Sequence, residues 1–467
     1  MITHAQPDLT EAQIIAGYLI FLASYTVFAF GKFPGMKIDR PGAAIIGAVL
    51  MVAIGVVTPA SALTAISFST IVLLGAMMLV VGNLRLAGFF ERAGEFAVRR
   101  LGQQHLLPAI ILTSGILSAF FVNDIVCLVM VPFVLSTTRR LRLPPLRYLL
   151  AVATASNIGS VATITGNPQN MLIGSYSGIS YRDFLLHLGP VAAGGLLLNW
   201  LILHLNRSVD LSPNLAEEQP ALTVRGEPSS QGRLRRPEPA TGLAVGMAEA
   251  APIPEVPGSK RSPFATGGLS TQTYEEMRVA RGLLKPGLVA LGVLAGFLAG
   301  LSPALVAAVG AAVLLITRTL EPKLAYEEVD WGLLVFFIGL FLIVAGAEQA
   351  GFTGKLFELA SAAGLNRSLI FAAITVVLSN LVSNVPAVML LKSIVPGFAN
   401  AHTAWLLLAM ASTLAGNLTI TGSIANIIVV ERSKGEVHIG FWDYFRVGLP
   451  VTVVTLLFGW VWLLWVG

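Results

Sequence analysis

The chain has 467 residues, 55% of them hydrophobic and only 12% charged, with a net charge of +5 and a mean hydropathy of +0.78. A soluble domain carries roughly 25% charged residues, so an ordinary soluble enzyme or nucleic-acid-binding module is excluded. An all-α polytopic membrane protein is expected, because apolar runs of about 20 residues, enough to span a bilayer, recur along the chain.

Met1–Thr10 is polar, and no basic segment precedes the first apolar run, which reads as a retained helix rather than a cleaved signal. Spans are expected near 12–30, 42–59, 69–86, 148–175 and 185–205, then near 285–300, 302–318, 331–347, 403–430 and 446–466. Two further apolar stretches, about 106–137 and 366–396, have polar centres at Ser118…Asn123-Asp124 and Ser379-Asn380…Ser383-Asn384-Val385-Pro386. Such centres fit re-entrant hairpins better than straight spans, since irregular backbone at membrane depth is tolerated where it lines a cavity or is buried in protein. Residues 207–284, rich in Pro, Gly, Ser, Glu and Arg, lack an apolar run able to build a core and read as a flexible linker. The expected organisation is therefore a first transmembrane repeat over 1–206, the linker over 207–284, and a second repeat over 285–467.

The two halves align. Ala87-Gly88-Phe89 matches Ala350-Gly351-Phe352, Leu117-Ser118 and Asn123 match Leu378-Ser379 and Asn384, and Asp183 and Pro190 match Asp443 and Pro450. Thr163-Ile164-Thr165-Gly166…Asn170 and Thr419-Ile420-Thr421-Gly422…Asn426 write one polar motif twice. Each half then holds five spans and one hairpin. Five is odd, so the second copy enters the membrane the other way up: an inverted repeat of ten spans with discontinuous helices at the midplane. With both termini outside, Lys32, Lys37, Arg40, Arg85, Arg92, Arg99, Arg100 and Arg139, Arg140, Arg142, Arg147 fall inside. Arg318, Lys323, Arg432, Lys434 and Arg446 join them, against Arg182, Lys355, Arg367 and Lys392 outside, as the positive-inside rule requires.

A helix broken at Gly166 or Gly422 exposes N–H groups on one half and carbonyls on the other, ends of opposite partial charge that suit a polar solute. The expected substrate-binding residues are Asn123, Thr163, Thr165, Gly166, Asn167, Asn170, Ser383, Asn384, Thr419, Thr421, Gly422, Ser423 and Asn426. Ser, Thr and Asn also glue helices together in membranes, but a duplicated polar octet favours a site. Asp124 is the expected proton or ion-coupling residue, because a carboxylate in an apolar stretch is costly and usually functional; the competing role is a cap on the second hairpin helix. Its counterpart is Val385, so the repeat is broken at a charge.

The single cysteine, Cys127, excludes an intramolecular disulfide and a thiolate metal cluster, and it reads as a small core residue. The histidines at 4, 105, 187, 204, 402 and 438 show no ligand spacing. Trp200, Trp331, Trp442, Trp460 and Trp462 read as interfacial anchors. HExxH, Walker and flanked GxGxxG patterns are missing, so no catalytic residue, cofactor or resident metal is expected.

Phe121-Val122-Asn123-Asp124, Ser156-Asn157-Ile158-Gly159 leading into Thr165-Gly166-Asn167-Pro168-Gln169-Asn170, Ser383-Asn384-Val385-Pro386, Gly416-Asn417-Leu418-Thr419 and Phe441-Trp442-Asp443-Tyr444-Phe445 resemble the ion transporter superfamily. That superfamily includes bacterial arsenite efflux permeases, sodium–proton antiporters, plant silicon effluxers and sodium-coupled dicarboxylate carriers. The Asn123-Asp124 pair is similar to the arsenite permease and antiporter side; hairpin one lacks the Ser-Asn-Thr motif of the dicarboxylate carriers. The resemblance implies a homodimer with a fixed scaffold and a moving transport domain, and it leaves room for a cytoplasmic ATPase partner.

The expected function is proton-coupled efflux of arsenite and antimonite across the cytoplasmic membrane, with no enzymatic activity. Sodium–proton exchange or sodium-coupled import of a dicarboxylate or sulfate is the alternative, and an uncoupled channel a third. Trivalent arsenic at neutral pH is an uncharged tris-hydroxide, which Thr, Asn and backbone groups can recognise without a cation.

Overall fold

In a computed structural model, residues 9–31, 38–206, 282–317 and 322–466 are described, less 353, 357, 359–363 and 365–366. Nearly all of the expected linker, and Lys32, Lys37 and Arg318 of the charge pattern, lie outside the described residues.

The described chain is helical and has no strands. The first half comprises α1 (Glu11–Phe30), α2 (Arg40–Ala53), α3 (Pro59–Ala65), α4 (Phe68–Leu86), α5 (Phe89–Leu101), α6 (Leu106–Phe120), α7 (Asn123–Leu141), α8 (Leu146–Ser160), α9 (Pro168–Ser177) and α10 (Tyr181–Leu205). The second comprises α11 (Leu284–Leu298), α12 (Pro303–Ile316), α13 (Pro322–Glu327), α14 (Trp331–Gln349), α15 (Ser368–Val382), α16 (Asn384–Leu391), α17 (Ala401–Leu414), α18 (Ile424–Ser433) and α19 (Phe441–Val466).

The order of long, short and broken helices repeats. Helices α4 and α14 both have 19 residues, and α9 and α18 both have 10. The matched helices α4 and α14 lie with the C-terminal end of one at the N-terminal end of the other. Arg85, at the C-terminal end of α4, pairs with Glu328 just before α14. At the other end Thr70 donates to Ser175, while Glu348 at the end of α14 pairs with Lys392, whose ammonium lies over Tyr176.

Helices α1, α4, α10, α14 and α19 are long and apolar enough to cross a membrane. The spans expected at 42–59, 285–300 and 302–318 are shorter, with 14, 15 and 14 residues in α2, α11 and α12. At 1.5 Å per residue each reaches only about 21–23 Å. Helix α2 stops before Gly55, whose φ of +79° turns the chain into α3. Uniform twenty-residue spans are therefore not how this fold is built.

Small residues let the polar centre close up. A Cβ on Gly159 of α8 would lie 2.0 Å from the Gly115 carbonyl oxygen of α6, so the two backbones touch. Of the five tryptophans expected as interfacial anchors, Trp331 and Trp442 are exposed, but Trp460 donates to Ser368 and Trp462 to the His187 carbonyl. Indole N–H groups find partners inside the protein when the helices bring them there.

Gly159→Ala drives a methyl into backbone rather than into a yielding side chain. It should cost about 3 kcal/mol or more, read as a lowered melting midpoint of the detergent-purified protein; an unchanged midpoint would refute the α6–α8 contact.

Candidate functional site

Both halves interrupt a helix by the same backbone path. After α8, Thr163 is extended (φ −138°, ψ 163°), Ile164–Gly166 make one 3-10 turn, and Asn167 is extended again before Pro168 opens α9. After α17, Thr419 (φ −136°, ψ 163°), the turn Ile420–Gly422 and extended Ser423 repeat it before α18. The breaks expected at Gly166 and Gly422 are thus present. Glycine is needed for space: a Cβ on Gly166 would stand 2.3 Å from the Ser160 carbonyl oxygen, and one on Gly422 2.7 Å from Asn380 Oδ1. Pro168 sits at the first position of α9, where its missing N–H costs nothing.

Equivalent amides seal the two loops. The Asn170 Nδ2 donates to the carbonyls of Ser160 and Thr163, and the Asn426 Nδ2 to those of Gly416 and Thr419. The loops are then tied to the hairpins. Thr163 donates to the Ala119 carbonyl and Thr165 to that of Phe120, at the end of α6. Thr419 donates to Asn380 Oδ1, on α15, and Thr421 lies 3.4 Å from Thr419 through their hydroxyls.

Each broken helix also reaches across to the other half. Asn157 of α8 accepts from Asn123 and Ser423 and donates to Asn417 and Asn426, every bond 3.0 Å. That is the full complement of a carboxamide. In the reciprocal arrangement Thr413 of α17 accepts from Asn167 (3.1 Å) and Gln169 (3.4 Å) and donates to Asn170 (3.3 Å). All of these side chains are buried.

The symmetry fails at one place. Asn167 caps its own helix, its Oδ1 accepting from the Asn170 N–H at 2.9 Å. Ser423 makes no such bond, and its hydroxyl goes to Asn157 instead. The backbone N–H of Ala425, in the first turn of α18, faces the Asp124 carboxylate. Asp124 is also in the first turn of its own helix, α7, so the carboxylate faces two helix N-termini, which favour an anion. The backbone group it faces belongs to the other half's helix rather than to its own. Asp330, the N-cap of α14, is a second negative charge acting on it.

The sequence-derived set is therefore divided by the structure. Asn123, Asn167, Asn170, Ser423 and Asn426 join the cross-half networks, with Asp124 beside them. Thr163, Thr165, Gly166, Thr419, Thr421 and Gly422 shape the loops and fasten them. Ser383 and Asn384 are half-buried at the second hairpin tip and make no side-chain bond to either network among the described residues. Ser383 holds φ +79° and ψ 158°, a region that disfavours a side chain. Asn157, Thr413 and Asn417 were not among the expected site residues, although Asn157 and Asn417 stand in the quoted motifs. Thr413 carries no local signal; only its place one repeat after Asn157 could have found it.

Several buried polar atoms near the hairpin tips and in the turn after α17 have no hydrogen-bond partner among the described residues. They include Asn123 Oδ1 and its counterpart Asn384 Oδ1, Ser118 Oγ and its counterpart Ser379 Oγ, and Asn417 Nδ2. Orphaned buried groups are rare and need an explanation. Leftover acceptors and donors of this kind can bind a polar solute or an ion.

A family model described as CitMHS, citrate transporter, matches residues 25–415. A silicon efflux transporter of rice (Oryza sativa subsp. japonica) is 31% identical, covering 96% of this chain and 97% of its own. A transporter named arsB from Dictyostelium discoideum is 27% identical, covering 94% and 89%. Among solved structures, the YdaH transporter of Alcanivorax borkumensis superposes with a TM-score of 0.53 at 13% identity, over 97% and 98% of the two chains. That likeness concerns the fold.

Removing the Asn157 side chain leaves four buried groups unpaired. Asn157→Ala should destabilise the protein by roughly 2–4 kcal/mol, whereas Thr413→Ser should be close to neutral; equal melting midpoints for native protein and Asn157→Ala would contradict the bonding described.

Proposed function

The chain belongs to the citrate transporter family, and from that premise we propose that this membrane transporter exports a small uncharged inorganic hydroxide, arsenite or antimonite first, in exchange for protons. The observation that carries the reading is the paired broken helices, each anchored by an amide or hydroxyl from the opposite half, with one carboxylate at the uncapped end.

The site favours a neutral cargo. A tris-hydroxide offers both O–H donors and oxygen acceptors, the partner types that the orphaned Asn123 Oδ1, Asn384 Oδ1 and Asn417 Nδ2 lack. Lys392, the cation that an anion carrier would most readily use, instead sits 3.3 Å from Glu348 and over the Tyr176 ring. The names of the rice and Dictyostelium relatives point the same way, silicic acid being another uncharged hydroxide. The family description favours a second reading, carriage of citrate or a similar anion.

Asp124 supplies the coupling. Ionised, it holds the Ala425 N–H and the first turn of α18; protonated, it loses the charge that the two N-termini favour. Cargo seated between Asn123 and Ser423 and a proton on Asp124 then act on the same helix end, which is how one would influence the other. The opposed ends of α4 and α14 support an inverted repeat, and two re-entrant hairpins and ten crossings belong to the same reading. In this reading both termini are outside, the 207–284 linker is inside, the membrane is the cytoplasmic one, and the unit is a homodimer.

In cells stripped of arsenic efflux, expression should raise arsenite tolerance several-fold, and purified protein in liposomes should move arsenite when a proton gradient is imposed. Asp124→Asn should retain cargo binding and lose dependence on the gradient. Uptake of succinate or citrate driven by sodium, with no arsenite movement, would overturn the cargo assignment. Lys392→Gln sorts the two readings independently: export of a neutral hydroxide should survive within about threefold, while an anion carrier using that charge in binding should fall by tenfold or more, a cost above about 1.4 kcal/mol.

A further inference from the structure

The sequence shows no ligand spacing among the histidines, yet folding brings two of them to one carboxylate. Asp183 and His187 lie one turn apart at the start of α10, and His402 lies in the first turn of α17, from the other half. One Asp183 oxygen is 2.6 Å from His402 Nε2 and the other 3.2 Å from His187 Nδ1. One donor atom from each of the three side chains lies within 4.8 Å of the others. The imidazole rings stand 5.2 Å apart at 70°, with their edges turned to the same carboxylate.

We propose that Asp183, His187 and His402 form a binding site for a zinc-class divalent cation on the face that carries Lys392 and Glu348. Two imidazoles and a carboxylate are the protein ligands of an open tetrahedral zinc site, with the fourth position left to water. Two nitrogen donors select zinc, cobalt or nickel over magnesium and calcium, which prefer oxygen. Zinc bonds of about 2.0–2.1 Å place tetrahedral ligands roughly 3.3 Å apart. The two imidazoles approach different oxygens of Asp183, and His187 Nδ1 also lies 2.9 Å from the Asp183 backbone carbonyl, so side-chain rotation must bring the three donors onto one cation. The rotation falls on side chains that can turn: their exposures are 38% for Asp183, 20% for His187 and 40% for His402, so the site is also open to entry.

The backbone behind the triad is held. Ser180 caps α10 by accepting from the Asp183 N–H, and Trp462 donates to the His187 carbonyl at 2.9 Å. Asn400 caps α17 by accepting from the Thr403 N–H, one residue beyond His402. The cation would therefore join the start of α10 to the start of α17, the helix that carries Thr413. It is a staple between the halves, separate from the cargo site, and it does not depend on which solute is carried.

The test uses the full chain, purified in detergent and stripped with chelator, with zinc alone as the probe. Expected are one saturable zinc per protomer, a rise of about 3 °C in the melting midpoint, and reversal by chelator. Cobalt should give the visible bands of a tetrahedral complex. Asp183→Asn and His402→Asn preserve size and hydrogen bonding, and each should weaken zinc by at least about tenfold; their melting without metal reports folding separately. No saturable zinc binding by the native chain would overturn the site and leave a hydrogen-bonded cluster only. Native-like zinc affinity in His402→Asn that melts normally would also overturn it. If His402→Asn fails to fold, the decision falls to cobalt spectra of the native chain, where octahedral bands alone count against the site.

Discussion

A helix that ends inside a membrane leaves backbone N–H and carbonyl groups with no water to take them. Everything at the centre of this protein follows from satisfying two such breaks. Asn170 and Asn426 take up the carbonyls released by their own loops. Asn157 and Thr413 then hold the loop of the opposite half, so neither break is complete without the other copy. The two broken helices are thus structurally interdependent.

Departure from symmetry is where chemistry enters. The first half has Asn167, which caps α9; the second has Ser423, which does not cap α18. The first half has Asp124 where the second has Val385. These differences complement each other, because the carboxylate missing from one hairpin tip is supplied by the other to the helix that lacks a cap. Exchange of Asp124 or Ser423 alone would leave either a helix end or a charge unmatched in a medium where both are expensive.

The periphery records the direction of each copy. Arg85 with Glu328 and Arg139 with Glu436 gather at one end, while Lys392 with Glu348 and the Asp183–His187–His402 cluster gather at the other. Positions 85 and 348 are equivalent in the repeat yet carry opposite charges and sit on opposite faces. Ion pairs at exposed helix ends add little stability singly, but they fix which helices are neighbours on each face.

Composition, apolar runs and the doubled TITG motif were enough to define the fold class and both helix breaks. These features are local: a span is a length of apolar chain, and a break is a glycine with hydroxyls and amides beside it. The resemblance carried by the hairpin and loop motifs anticipated the transporter family on the same basis. What the chain alone did not reveal was who meets whom. Asn157 finding Asn426, Thr413 finding Asn170, Asp124 reaching Ala425 and His402 reaching Asp183 join residues hundreds of positions apart or in different helices. Trp460 and Trp462 turned inward for the same reason. Only the packing of opposed helices decides such pairs, because hydrogen bonds and close contacts depend on distance in space, and apolar periodicity says nothing of which polar side chain faces which.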